Sequence, residues 1–118
     1  MQYMLLIYQG DTPTPDDPQA WARLSEDEQA AVFADYQAIN QTPGVTAGRQ
    51  MHPPEMATTV RVQAGKTLTT DGPFVEMKEA LGGYFFFEAD DLDAAIEVAA
   101  RIPSARLGGA VEVRPLVE

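Results

Sequence analysis

Apolar positions along this chain fall into three patterns, and each predicts a different element. Gln2 to Tyr8, QYMLLIY, is an almost unbroken apolar run, the pattern of a central strand covered on both faces. ATTVRVQ (57–63) alternates and is rich in β-branched residues. It is joined through Ala64-Gly65-Lys66 to TLTT (67–70), which reads as a hairpin. LGGYFFFEA (81–89) is a second strongly apolar strand, and Phe85, Phe86 and Phe87 should alternate between its faces. VTAGRQM (45–51) is a weaker strand, and AVEVRPL closes the chain with Val111 and Val113 alternating against Glu112 and Arg114.

Two stretches have helical spacing instead. Val32, Tyr36 and Ile39 stand at i, i+4 and i+7, with Phe33 beside them. Upstream, Ser25 and Glu28 have capping-box spacing, so the helix should begin near Ser25, with Trp21 and Leu24 stapling its start. Pro43-Gly44 ends it. A second helix should follow Asp90-Asp91, either of which can cap it, burying Leu92, Ala95, Ile96 and Ala99 and stopping at Pro103. Between the first strand and the first helix, GDTPTPDDP has three prolines and three aspartates, which predicts an irregular surface loop that serves as either a lid or a linker.

Without the hairpin, the order is β-α-β-β-α-β, so the predicted class is α+β, a ferredoxin-like domain over residues 1–118 with an inserted hairpin. Such a sheet has helices on one face only. The bare face argues for a homodimer in which two sheets meet.

Composition narrows the partners. Eight Lys and Arg stand against 18 Asp and Glu, a formal charge of −10, and there is no basic run. Nucleic acid and anionic membrane surfaces are therefore not expected partners. Cysteine is absent, which excludes disulfides and a thiol nucleophile. With neither a basic region before the first strand nor a segment of transmembrane length, a cytoplasmic location is expected.

Candidate chemistry gathers at two places. His52, in RQMHPPE, is the single histidine and the natural candidate for general acid or base. TDGPF (70–74) is a shaped turn in which Gly72 can take positive φ and Pro73 fixes its own. Asp71 in that turn is a candidate carboxylate base, with Glu76 and Lys78 just beyond. Lys78 or Arg49 would hold an anionic group, and Tyr36 is a further ligand-binding candidate. One histidine with scattered carboxylates has no metal-ligand spacing, and nucleotide-loop motifs are missing, so no metal or cofactor is expected.

MLLIY, PPxxATTVR (53–61), the run from TDGPFVEMKEALGGYFFFEA through DDLDAAIEVAARIP, and the closing VEVRPL together resemble the YCII-related, DGPF-domain family over nearly the whole chain. That resemblance implies a ferredoxin-like domain paired into a dimeric α+β barrel. One branch of the family is thought enzymatic from a His and Asp pair in a cleft. Its histidine falls near the first helix, where this chain has none. Asp71, Gly72, Pro73, Phe74, Glu76, Lys78, Glu79, Gly82 and Gly83 fit the DGPF pattern itself. The resemblance also implies an association with extracytoplasmic-function sigma factors. Two functions follow as expectations: a small organic ligand bound near the DGPF loop with acid–base chemistry, or an acidic regulatory protein meeting a basic partner. The first requires His52, Asp71 and Lys78 to line one cavity.

Overall fold

The computed structural model describes residues 1–72 and 81–118. Strand β1 (Gln2–Tyr8) is followed by a short helix α1 (Pro18–Ala22) and the long helix α2 (Glu26–Asn40). Then come β2 (Val45–Ala47), the hairpin strands β3 (Thr58–Gln63) and β4 (Lys66–Asp71), β5 (Leu81–Glu88), helix α3 (Leu92–Ala100) and β6 (Ala110–Pro115).

Four strands form one antiparallel sheet in the order β2-β5-β1-β6, while among the described residues β3 and β4 pair only with each other. The architecture is thus α+β, compatible with the ferredoxin-like order once the hairpin is set aside. Alternation along the strands sorts the side chains. Tyr3, Leu5, Ile7, Phe85 and Phe87 join Ile39 of α2 and Ala95, Val98 and Ala99 of α3 in one core. The three consecutive phenylalanines divide as their spacing predicts, with Phe85 and Phe87 buried and Phe86 on the other face.

That other face is more open than the apolar run of β1 predicts. The register sets Met4 opposite Phe86 and Leu6 opposite Tyr84. Leu6 is buried, whereas Met4, Tyr84 and Phe86 are partly exposed. Tyr84 and Phe86 pack edge to face at 5.7 Å. Along β6 the Tyr8 hydroxyl donates to Glu112 Oε1 at 3.2 Å, and Arg114 Nε donates to Glu112 Oε2 at 2.6 Å.

The helix starts follow local chemistry. Ser25 Oγ accepts from Glu28 N–H at 3.1 Å, and Glu28 Oε1 accepts from Ser25 N–H at 3.0 Å, a complete capping box on α2. Asp91 Oδ1 accepts from Ala94 N–H at 2.8 Å at the start of α3. The predicted irregular stretch is irregular as far as Asp17, and helix α1 begins at its end: Asp17 caps it and Pro18 occupies its first turn, where the missing N–H costs nothing. The predicted face of α3 is only half right. Ala95 and Ala99 are buried, but Leu92 and Ile96 are both 49% exposed, and Val98 with Ile102 fills the core instead. Phe33 is also exposed and meets Trp21 edge to face at 5.5 Å, which ties α1 to α2. Among the described residues, no helix is long and apolar enough to cross a membrane.

Candidate functional site

A partly open cleft of about 240 Å³ lies where β1 ends and β5 begins, near the prolines that follow β2. Its described lining comes from four distant stretches: Gln9 after β1, Thr14 to Asp17 before α1, Gln50 to Pro54, and Leu81-Gly82 at the start of β5.

Each wall has a local cause. After Ala47 the chain leaves regular pairing but stays beside β5, because Met51 N–H donates to Gly82 O at 2.9 Å. That bond sets Gln50, Met51 and His52 along the rim, and the following prolines hold the chain extended before it turns at Pro54–Met56. The loop before α1 forms the facing wall. Gln50 Nε2 donates to Asp16 Oδ2 at 3.1 Å, joining the walls across 34 positions of sequence. Asp17 is occupied as the α1 cap, its Oδ1 accepting from Ala20 N–H at 3.3 Å. On the floor the Gln9 side chain lies directly over Gly82. A Cβ at that position would run into Gln9 Oε1 and stand 3.3 Å from its Cδ. Gly82 thus lets a polar amide approach the sheet end.

The cleft offers one imidazole, two carboxylates and two amides beside the apolar side chains of Met51, Leu81 and the prolines, and no Lys or Arg is among its described lining. It is equipped to move a proton and to hydrogen-bond a small polar molecule. Gln9, Asp16 and Gln50 were missed by sequence reasoning. The Asp-Pro spacing before α1 could have drawn attention to the aspartates, but nothing in the sequence signals that Gln9 and Gln50 meet.

The sequence-predicted residues are dispersed. His52 is on the cleft wall and exposed. Asp71 ends β4 opposite Thr58 and is exposed, and it is not among the described lining residues. Beside it Gly72 N–H donates to Ala57 O at 2.6 Å and Thr59 Oγ1 donates to Gly72 O at 2.7 Å, while Pro73 and Phe74 lie outside the described residues. Gly72 has φ +97, so the glycine of the DGPF turn occupies the left-handed conformation its chemistry permits. Arg49 is exposed and outside the described lining, with its backbone carbonyl against Gly83. Tyr36 belongs to the core, stacked on Phe85 with ring centroids 6.3 Å apart. Burial raises its phenol pKa above the usual value, and the Ser104 hydroxyl opposes that shift. Glu76 and Lys78 lie outside the described residues.

Comparison with known proteins adds two findings. The family model of the YCII-related domain matches residues 1–118. An uncharacterized protein of Rhizobium meliloti (strain 1021) is 35% identical over 122 residues, covering 98% of this chain and 92% of that protein.

Proposed function

This chain belongs to the YCII-related domain family, and on that premise we propose that it is a small-ligand-binding protein working as a homodimer, its ligand held in the His52 cleft. The observation that carries this reading is the convergence of Gln9, Asp16, Gln50 and His52, from separate parts of the chain, around one cavity. Its volume lies just under the range of drug-sized pockets, so the ligand is small. His52 is the proton carrier, and Gln9 and Gln50 orient the ligand by hydrogen bonds. Asp16 is assigned the carboxylate role because Asp17 is engaged as the α1 cap, and Asp71 is the competing assignment. The homodimer reading is supported by the open sheet face, where Met4, Tyr84 and Phe86 are partly exposed.

A thermal-shift panel of small amines, carboxylic acids and phosphates identifies a working ligand, whose affinity is then measured on variants. His52→Gln should weaken binding or abolish turnover, Gln50→Ala should weaken binding, and Asp71→Asn should leave both unchanged. Equal loss in Asp71→Asn and His52→Gln would move the carboxylate role to Asp71. An unchanged His52→Gln, Gln50→Ala pair would remove the cleft as the site.

A further inference from the structure

The β3–β4 hairpin projects from the body as an arm. Every residue of β4, and every residue of β3 except the partly exposed Thr59, is exposed. Among the described residues its strands pair only with each other. The molecule measures 51 × 42 × 18 Å with a radius of gyration of 16.1 Å. A compact chain of this length would have a radius of about 13–14 Å. An isolated two-stranded hairpin is marginally stable in water, so a free arm of this kind is a poor end state.

The register places Val60 opposite Thr69 and Val62 opposite Thr67, so both valines share one face of the arm. They are 59% and 67% exposed, an apolar stripe that no described part of the chain covers. The charge pattern of the arm is unlike the rest of the chain. Residues 58–71 contain Arg61 and Lys66 against Asp71 alone, so the arm carries a formal charge of +1 in a chain of −10.

We propose that the arm is a clasp for a second copy of this chain, its Val60–Val62 face lying on the open sheet face of the partner around Met4, Tyr84 and Phe86. This inference rests on the homodimer reading above. The fit is one of chemistry and of size. The arm supplies branched apolar side chains and the Lys66 ammonium near its tip, and the other copy supplies partly exposed aromatic and thioether surface on an acidic body. Six strand residues span roughly 20 Å, and four strands side by side are about 14 Å across, so one arm can cross the sheet. Reciprocal exchange of two arms about a two-fold axis closes the assembly and leaves neither stripe in water.

Sedimentation equilibrium on the intact chain and on Val60→Lys/Val62→Lys tests the clasp. The wild type should be a dimer, and the variant should dissociate at least about tenfold more readily while keeping its circular dichroism spectrum. A monomeric wild type would overturn the homodimer reading and the clasp together. A dimer whose affinity the double substitution leaves unchanged would overturn the clasp alone. Because the chain has no cysteine, Gln63→Cys takes a single nitroxide at the arm tip. Mixed with ¹⁵N-labelled wild type, it should broaden amides of the other copy near Met4, Tyr84 or Phe86. Broadening confined to other regions, or none at all, would refute the placement.

Discussion

Two glycines crowded by their neighbours should respond very differently to the same added methyl group. At Gly82 the new Cβ meets only side-chain atoms of Gln9, namely Oε1, Cδ and Cβ. At Gly109 it meets the backbone carbonyl oxygen of Tyr8, that of Gln9 at 2.7 Å, and Thr12 Oγ1 at 2.8 Å. A glutamine amide can swing away for roughly 0.5–1.5 kcal/mol of torsional cost. Replacing glycine by alanine returns about 0.4–1 kcal/mol by restricting the unfolded chain. Gly82→Ala should therefore fall within about 1 kcal/mol of wild type. Backbone carbonyls cannot step aside so cheaply, and overpacking of that kind costs roughly 1–3 kcal/mol or more.

For a chain of 118 residues the unfolding entropy is on the order of 250 cal/mol/K, so 1 kcal/mol corresponds to about 4 °C in Tm. Thermal melts followed by circular dichroism should show Gly82→Ala within about 4 °C of wild type and Gly109→Ala lower by several degrees more. In the same Gly82→Ala protein the side-chain amide resonances of Gln9 should move, because that group leaves the cleft floor. Equal destabilisation by the two substitutions, or an unmoved Gln9 amide, would refute the packing described for the cleft.

Further outcomes concern the helices, the arm and pH. Ser25→Ala removes one half of the α2 capping box and should cost about 1 kcal/mol, read as a lowered Tm. The Glu28 carboxyl is held below its usual value of 4.5 by the hydrogen bonds it makes with Ser25, backbone first. Its contribution is present above that value and is lost as pH falls through the lower folded value. Denaturant titrations of Glu28→Gln should accordingly show a shallower acid decline than wild type. Burial raises the Tyr36 phenol above 10.0, with Ser104 opposing, so the unfolded chain loses this proton first as pH rises. Stability should fall from near pH 10 upward, and Tyr36→Phe should remove its part of that slope. At the arm tip Ala64 has φ +51 and Gly65 φ +75, a turn in which asparagine fits better than alanine. Ala64→Asn should stabilise the hairpin by roughly 0.5–1 kcal/mol, visible as slower amide exchange between Thr58 and Asp71.

Much of the fold was legible because its signals are local. Ser25 with Glu28, and Asp91 before an apolar run, mark helix starts by chemistry that operates within four residues. The alternation through Phe85, Phe86 and Phe87 assigns faces without knowledge of the rest of the chain. The face of α3 was harder, because LDAAIEVAARI carries two overlapping apolar stripes. Packing against β6 and the Pro103–Ala105 turn selects the one through Val98 and Ile102. Of the cleft, His52 was legible directly, and the loop that carries Asp16 and Asp17 was read as a lid or a linker. Gln9, Asp16, Gln50 and Gly82 come together through the placement of the β1 end, the loop before α1 and the irregular continuation of β2. None of these contacts has a sequence period. Asp71 drew attention through the chemistry of its turn, and the structure places it at the base of the arm, outside the described lining of the cleft.

The most direct test of the central claim, that the His52 cleft is where this protein meets its ligand, is a fragment titration followed by ¹H–¹⁵N spectra of the assigned chain. The account predicts saturable shifts concentrated at Gln9, Gln50, Met51, His52, Leu81 and Gly82, abolished in Gln50→Ala. Saturable shifts that gather elsewhere while those amides stay still would contradict it.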